Sequence, residues 1–383
     1  MEIPGISEIR QQHVIILGGY GNFGKRIAES LVGLPNVCLW IAGRNLASAE
    51  AVVAKLRPGA SATINPMALD FKHSNFAATL KQHSPYLVIH TGGPFQGQDY
   101  AVPQACIDAG AHYIDLADDR RFVCDITRLD SAACAQRVLV VSGASTVPGL
   151  SSVVIDHYCN QFSVVDSLDM SIAPGNRAER GEATIRAILS YTGHVFPVFE
   201  QGRWQNAYGW MHPRKVDFGD IVGRRWLANV DVPELELFPG RYAVRSSVQF
   251  QAGLELSVLH LTMVAMAQAV KCRVIRNWAP HSRWITRIAR CLEHFGSDRG
   301  GMRVVISGND LNGKASSLTW SLYAGHGVGP FIPTLSAVIL AKKLLQGMHH
   351  PIGAMPCLGL YSLDDFYAEA HRIGVYAKEQ WSE

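Results

Sequence analysis

The sequence predicts an α/β chain of two domains: a doubly wound parallel sheet, then a second α+β domain built on a mostly antiparallel sheet. Three observations carry this. Short apolar blocks alternate with helix-length stretches through about the first 140 residues. A glycine cluster follows the first of those blocks. Beyond residue 158 alternating patterns replace that rhythm, and seven of the eight tryptophans lie past residue 200. At 383 residues the chain exceeds the usual size of one hydrophobic core. The expected division is 1–148, 149–330, and C-terminal helices over 331–383 that return to pack on the first domain.

Residues 14–17 (VIIL) form a continuous apolar block, as expected of a strand buried on both faces. Phe23, Ile27, Ala28, Leu31 and Leu34 then recur at helical spacing. Strands over 37–42, 62–68, 86–90, 113–116 and 138–141 alternate with helices over 48–55, 75–82, 98–109 and 121–135, with Pro58-Gly59 and Gly110 as stops. The expected strand order is 3-2-1-4-5-6, with ligands at the carboxyl ends of strands 1 and 4. Residues 145–149 lead out of this domain into a helix over 150–158. The second domain is expected to hold strands over 165–172, 242–250, 302–307 and 316–323, and helices over 181–191, 254–271 and 284–295. Residues 203–241 are aromatic and rich in breakers, and stay unassigned. Pro333 opens a late helix ending at Gly347, and Ser362 with Asp365 form a capping-box pattern for another that ends at Gly374.

Gly19, Gly21 and Gly24 give G-x-G-x-x-G directly after the first strand. In that position Gly19 is expected to make the tight turn, Gly21 to let backbone approach a pyrophosphate, and Gly24 to let helix and strand pack closely. The diphosphate would sit on free amides at the helix start, so Gly19, Tyr20, Gly21, Asn22, Phe23 and Gly24 read as a Rossmann dinucleotide loop. Enzymes that use NAD place an acid about 20 residues on, to bond the ribose 2′-hydroxyl. Arg44 stands there instead, between Gly43 and Asn45. A guanidinium pairs with a 2′-phosphate, so NADP(H) is expected over NAD(H), with Asn45 beside it. Asp70, after the third strand, is placed to reach the adenine edge. Thr91, Gly92, Gly93 and Pro94 end the fourth strand, where the nicotinamide ribose would lie against backbone.

The net charge is +3 and the 35 Lys and Arg are scattered, which argues against a nucleic-acid partner. Eight cysteines show no C-x-x-C pair and no metal-ligand spacing, and read as reduced thiols with no metal. The first residues carry no long apolar core, so a cytoplasmic location is expected. Residues 254–270 are the most membrane-like, but Glu255, His260 and Gln268 interrupt them. A buried or interface helix is expected there, and no membrane partner.

The glycine loop, TGGPFQGQDYAVPQACIDAGAHYIDLADD and VLVVSGASTVPGLSS together resemble the saccharopine dehydrogenase-like oxidoreductases over residues 13–155. GPFIPTLSAVILAKKLLQG resembles the helix by which that family's chain returns toward its nucleotide domain. The resemblance implies a Rossmann domain, a substrate domain with a dimerising sheet, hence a homodimer, and a small-molecule substrate. It implies making or breaking a C–N bond between an amino acid or polyamine and a carbonyl carbon, through an imine. Several members carry D-P-G where this chain has Val147-Pro148-Gly149, so a carboxylate is missing and the substrate is open.

Hydride addition to an imine needs a proton for the nitrogen. Asp118 and Asp119, just past the fifth strand, are candidates, and equally suited to cap the next helix. Tyr100 is a weaker donor. Arg177, Arg180 and Arg245 are candidates for a substrate carboxylate, and His326 lies in a glycine turn that could face the cleft. Three readings follow. The first is an NADP(H)-dependent oxidoreductase acting on an imine or secondary amine of an amino-acid-like or polyamine-like substrate. The second is an NADPH-dependent enoyl reductase of an apolar substrate, suited by Val147 and the aromatic second domain. The third is a non-catalytic NADP(H)-binding regulatory protein.

Overall fold

The computed structural model describes residues 11–382. Its first domain is built on β1 (Gln12–Leu17), β2 (Val37–Gly43), β3 (Thr63–Ala68), β4 (Leu87–His90), β5 (His112–Asp115) and β6 (Leu139–Ser142). These are all parallel, in the order β3-β2-β1-β4-β5-β6. Every residue of β4, β5 and β6 is buried, which is why they are apolar on both faces apart from His90, His112, Asp115 and Ser142 at their ends. The crossovers carry α1 (Gly24–Leu31), α2 (Leu46–Leu56), α3 (Phe76–His83), α4 (Ala101–Asp108), α5 (Arg120–Cys124) and α6 (Asp130–Gln136). The helix expected over 121–135 is thus two pieces. Phe122 and Val123 pack with Phe95 and Ala117, whereas Ile126 and Ala133 belong to the cluster around β1 and β5. One straight helix does not serve both directions.

α7 (Ser151–Tyr158) leads to the second domain. There follow β7 (Phe162–Ala173), α8 (Glu182–Tyr191), β8 (Val195–Glu200), β9 (Arg203–Tyr208), β10 (Arg214–Asp217), β11 (Arg224–Asn229), α9 (Glu234–Arg241), β12 (Ser247–Ala252), α10 (Ser257–Lys271), α11 (Ser282–Cys291), β13 (Gly300–Asp310) and β14 (Ala315–Ala324). β12 pairs with β7 in parallel and the other pairings are antiparallel. The region left unassigned over 203–241 is therefore three strands and a helix. The strand expected to start at residue 242 begins at Ser247, because α9 and a turn occupy the residues before it.

The C-terminal stretch is α12 (Ile332–Leu345), β15 (Gly353–Pro356), α13 (Leu363–Arg372) and β16 (Tyr376–Ser382). It does more than add helices. α12 is buried along most of its length and touches α1. β15 extends the first sheet beside β6, and β16 extends the second beside β14. Neither strand has an apolar run: GAMP is too short and YAKEQWS is mostly exposed. Buried polar links also join the domains. Arg120 donates to Pro197 O at 2.9 Å and lies 2.7 Å from Asp231, and Ser151 donates to Glu234 at 2.6 Å.

Candidate functional site

A cleft of about 1040 Å³ lies between the two domains, over the carboxyl ends of β1 and β4. The glycine loop forms one wall. The tight turn is made by Gly18, at φ +74°, rather than by Gly19 as the motif spacing suggested. Gly21 N–H then donates to Gly18 O at 2.8 Å and closes the turn. Gly19 and Gly24 lie beneath the cleft surface. A Cβ on Gly24 would stand 2.7 Å from Gly19 Cα, and one on Gly19 would stand 2.9 Å from Ile16 O. They hold strand and helix together, while Gly18, Tyr20, Gly21, Asn22 and Phe23 face the cleft. Among the described residues the amides of Asn22, Phe23 and Gly24 donate to no protein acceptor. That is the donor set a diphosphate takes.

At the end of β2, Tyr20 lies across Gly43 and its hydroxyl accepts the Asn45 N–H at 3.1 Å. The Asn45 side chain caps α2 by accepting from Ser48 N–H at 3.1 Å, so it holds this corner without lining the cleft. Arg44 does line it, is exposed, and has no ion-pair partner among the described residues. Asp70 is also on the wall, with one carboxylate oxygen accepting from Lys72 N–H at 3.0 Å. Thr91 donates to Leu17 O at 2.8 Å and fastens β4 to β1. Gln98 donates to Gly92 O and Pro94 O, at 3.0 and 2.7 Å, and fixes the loop that holds Gly92, Gly93 and Pro94. Unpaired amides, glycines without room for a Cβ and an unpaired guanidinium thus follow one another along this wall. They fit a dinucleotide with a phosphate at its ribose.

Two residues that the sequence did not single out, His90 and Tyr191, lie near that loop and the predicted Asp118. His90 is wholly buried beneath Gly92, between Phe71 and Phe95, with Nδ1 3.0 Å from Tyr113 Oη. Burial pushes its pKa down to about 3, so it is a neutral spacer and no proton donor. Its only trace in the sequence is a histidine closing an apolar strand. Asp118 stands on the cleft wall and accepts from Gln96 Nε2 at 3.2 Å. Burial raises its pKa, and nearby Asp119 adds to the effect. Asp119 itself caps α5, accepting from Phe122 N–H at 2.8 Å. Tyr191, on α8, faces the same space. Burial raises its pKa, and the charges of Asp118 and Asp231 raise it further. A tyrosine at the end of an amphipathic helix gives no signal of this until the domains are assembled.

Other candidates fall elsewhere. Tyr100 donates to Phe122 O at 3.0 Å and stacks on the Phe122 ring; it does not face the cleft, because its hydroxyl anchors α5. Arg245 is exposed, 3.8 Å from Asp166 and away from the cleft. Arg177 is also exposed, with its guanidinium donating to His294 O at 3.1 Å. His326 is exposed on its turn and lies outside the cleft. Arg180 lines the cleft and donates to Gly175 O at 2.9 Å, leaving its other donors available. Val147 lines it as well, so no carboxylate occupies the position at which the resembled family carries one. Across from the loop the wall is apolar, formed by Ile172, Val230, Phe250, Met302 and Leu322. Glu179 pairs with Lys25 and Arg26, each at 2.9 Å, and ties the second domain to α1 at the cleft edge.

Residues 14–142 match the family described as saccharopine dehydrogenase NADP binding domain. The chain has a saccharopine dehydrogenase-type NADP-binding domain. That domain spans β1 to β6, and the glycine loop, Arg44 and Thr91 to Pro94 all lie within it. No curated protein matches the chain. Among solved structures it is similar to apo histidine-tagged saccharopine dehydrogenase (L-Glu forming) from Saccharomyces cerevisiae. The TM-score is 0.67 at 12% identity, over 97% of this chain and 100% of that one. It also aligns with an amine dehydrogenase from Mycobacterium smegmatis, at TM-score 0.48 and 8% identity, over 90% of this chain and 94% of that one. At such identities the likeness is one of fold. The likeness to the yeast structure covers both domains.

Proposed function

We propose that the protein is an NADP(H)-dependent oxidoreductase that transfers hydride to or from the carbon of an imine or secondary amine. The substrate envisaged has one carboxylate and a largely apolar body. The observation that carries this reading is the Gln96–Asp118 hydrogen bond. It sets a carboxyl with a raised pKa one side chain away from the loop that holds Thr91 to Pro94. The bound dinucleotide supplies the hydride. Asp118 hands a proton to the substrate nitrogen in the reducing direction and takes it back in the oxidising one. Tyr191 hydrogen-bonds the same nitrogen or its leaving water. Arg180 pairs with the carboxylate, and Val147, Val230, Phe250 and Met302 keep water from the reacting carbon. Arg44 takes the 2′-phosphate and makes NADP(H) the preferred cofactor over NAD(H).

A second reading, reduction of a carbon–carbon double bond, rests on the apolar wall from Ile172 to Leu322 and on Val147, which offer an apolar chain a long dry surface. One experiment separates them. Oxidation of NADPH is followed with amino acid plus keto acid, polyamine plus aldehyde, and enoyl substrates. Turnover with a C–N panel supports the first reading, and turnover with enoyl substrates alone replaces it with the second. Tight NADPH binding with no turnover on any panel sinks both and leaves a regulatory binding protein.

A further inference from the structure

Helix α11 turns an apolar stripe outward. Its buried positions are Ser282 and Thr286, and it packs on α8. On the opposite arc Trp284, Ile288 and Cys291 are exposed at helical spacing, and Phe295 follows just past the helix, 64% exposed. Single exposed hydrophobic side chains need no explanation, but a row of them along one helix face does. Arg283, Arg287 and Arg290 run beside that row at the same spacing, all exposed. Among the described residues Arg287 and Arg290 have no ion-pair partner, and Arg283 has only a 3.5 Å contact with Glu182.

The linker before the helix repeats the composition, with Arg273 and Arg276 around a Val274 that is 77% exposed. Residues 271–299 carry seven Lys and Arg against Glu293 and Asp298, a net +5 in a chain whose total is +3. The remainder of the chain is therefore net negative, and the positive charge is concentrated here. A second copy meeting this face by two-fold symmetry would set Arg287 and Arg290 against their own kind. A surface that accepts apolar side chains and cations side by side is the headgroup boundary of an anionic bilayer.

We propose that α11 docks the protein on anionic membrane surfaces. Trp284, Ile288 and Phe295 enter the acyl boundary, and Arg283, Arg287 and Arg290 pair with lipid phosphates. No helix among the described residues is long and apolar enough to cross a membrane, so the attachment lies on the surface. The expectation of no membrane partner weighed only a spanning segment, and this proposal departs from it. Arg283 reaches Glu182, which lines the cleft, so the docked face adjoins the cleft mouth. The docking is independent of which bond the cleft reduces.

The test is co-sedimentation of the full chain with vesicles of phosphatidylcholine alone and of phosphatidylcholine with phosphatidylserine. The protein is expected to pellet with the anionic vesicles only, and to be released by added salt. At about fivefold per cation, R287E/R290E lowers the partition coefficient at least about 25-fold. W284S/I288S lowers it too. Circular dichroism and NADPH binding, which neither pair touches, show that the variants are folded. Wild-type protein that stays in solution with anionic vesicles overturns the proposal, as do variants that partition like wild type. If W284S/I288S instead lowers the mass at sedimentation equilibrium and leaves vesicle binding intact, the face belongs to a second copy.

Discussion

In the proposed reaction Arg44 and Asp118 each carry a separable part, one the cofactor preference and the other the proton. Arg44 lines the cleft just past the end of β2, and among the described residues it has no ion-pair partner. Replacing it by Ser removes a charge-assisted pair, which is worth about 1.5–3 kcal/mol. NADPH affinity is expected to fall about tenfold to a hundredfold and NADH affinity to stay nearly level, as read by fluorescence titration of both. Equal losses would show that Arg44 does not read the 2′-phosphate. For Asp118, the Asn variant keeps the bond from Gln96 but loses the proton. Its kcat is expected to drop about a hundredfold or more at unchanged NADPH affinity. Because burial raises the Asp118 pKa, wild-type reduction slows as pH rises through that value, and this limb is absent from the variant's profile. A retained limb assigns the proton to another group, with Tyr191 the first to test.

At the scale of elements, the glycine loop works because β1 and α1 approach too closely for side chains. Gly24 is the tightest point, and an added methyl there meets the backbone of both Gly18 and Gly19. Gly24→Ala is therefore expected to cost about 1–3 kcal/mol in a urea titration, as overpacking does. Coenzyme affinity should weaken with it, because the amides of Asn22 and Phe23 move. A variant of wild-type stability that binds NADPH normally would mean the loop gives way without cost. The motif spacing correctly located this loop. It put the left-handed turn one residue late, because G-x-G-x-x-G does not say which residue before the helix leaves the strand, and the chain offers Gly18 as well as Gly19.

Over the whole molecule, burial raises the pKa of three acids, Glu234 most of all. Glu234, on α9, is wholly buried against Ser151 on α7, and burial raises its pKa from 4.5 to about 8. Asp115 and Asp231 are raised to about 6 by burial, against the bonds that Asp115 accepts and the nearby Arg120. A carboxyl whose pKa is higher folded than unfolded stabilises fully below the unfolded value and loses that contribution as pH rises through the folded one. Glu234 is thus expected to withdraw stability from about pH 4.5 to 8; up to about pH 6.5 the buried His90, His112 and His260, whose pKa values burial lowers, act in the opposite sense, so the net loss is read above that, on the order of 2 kcal/mol. Thermal unfolding checks this: the midpoint should lie lower at pH 8.5 than at pH 6.5, and Glu234→Gln should flatten the slope. A midpoint that does not fall over that range, or a slope that Glu234→Gln leaves unchanged, would show that Glu234 is not held neutral.

The parallel sheet, its strand order, the dinucleotide loop and the position of Arg44 were all readable in the sequence. The strands, the loop and Arg44 depend on residues within about twenty of one another, where apolar runs, glycine spacing and helix stops act directly on the local backbone, and the strand order follows from the doubly wound pattern they form. The tertiary structure alone decided the rest. It recruited GAMP and YAKEQWS as strands, because hydrogen bonding to a waiting sheet edge requires no apolar pattern of its own. It turned Tyr100 inward to hold α5 and brought Tyr191 to Asp118 across 73 residues of chain. It also separated Arg180, in the cleft, from Arg177 and Arg245 outside it. Burial and the charges around a group depend on which distant segments surround it, so the chemistry of the reacting end exists only once the two domains meet.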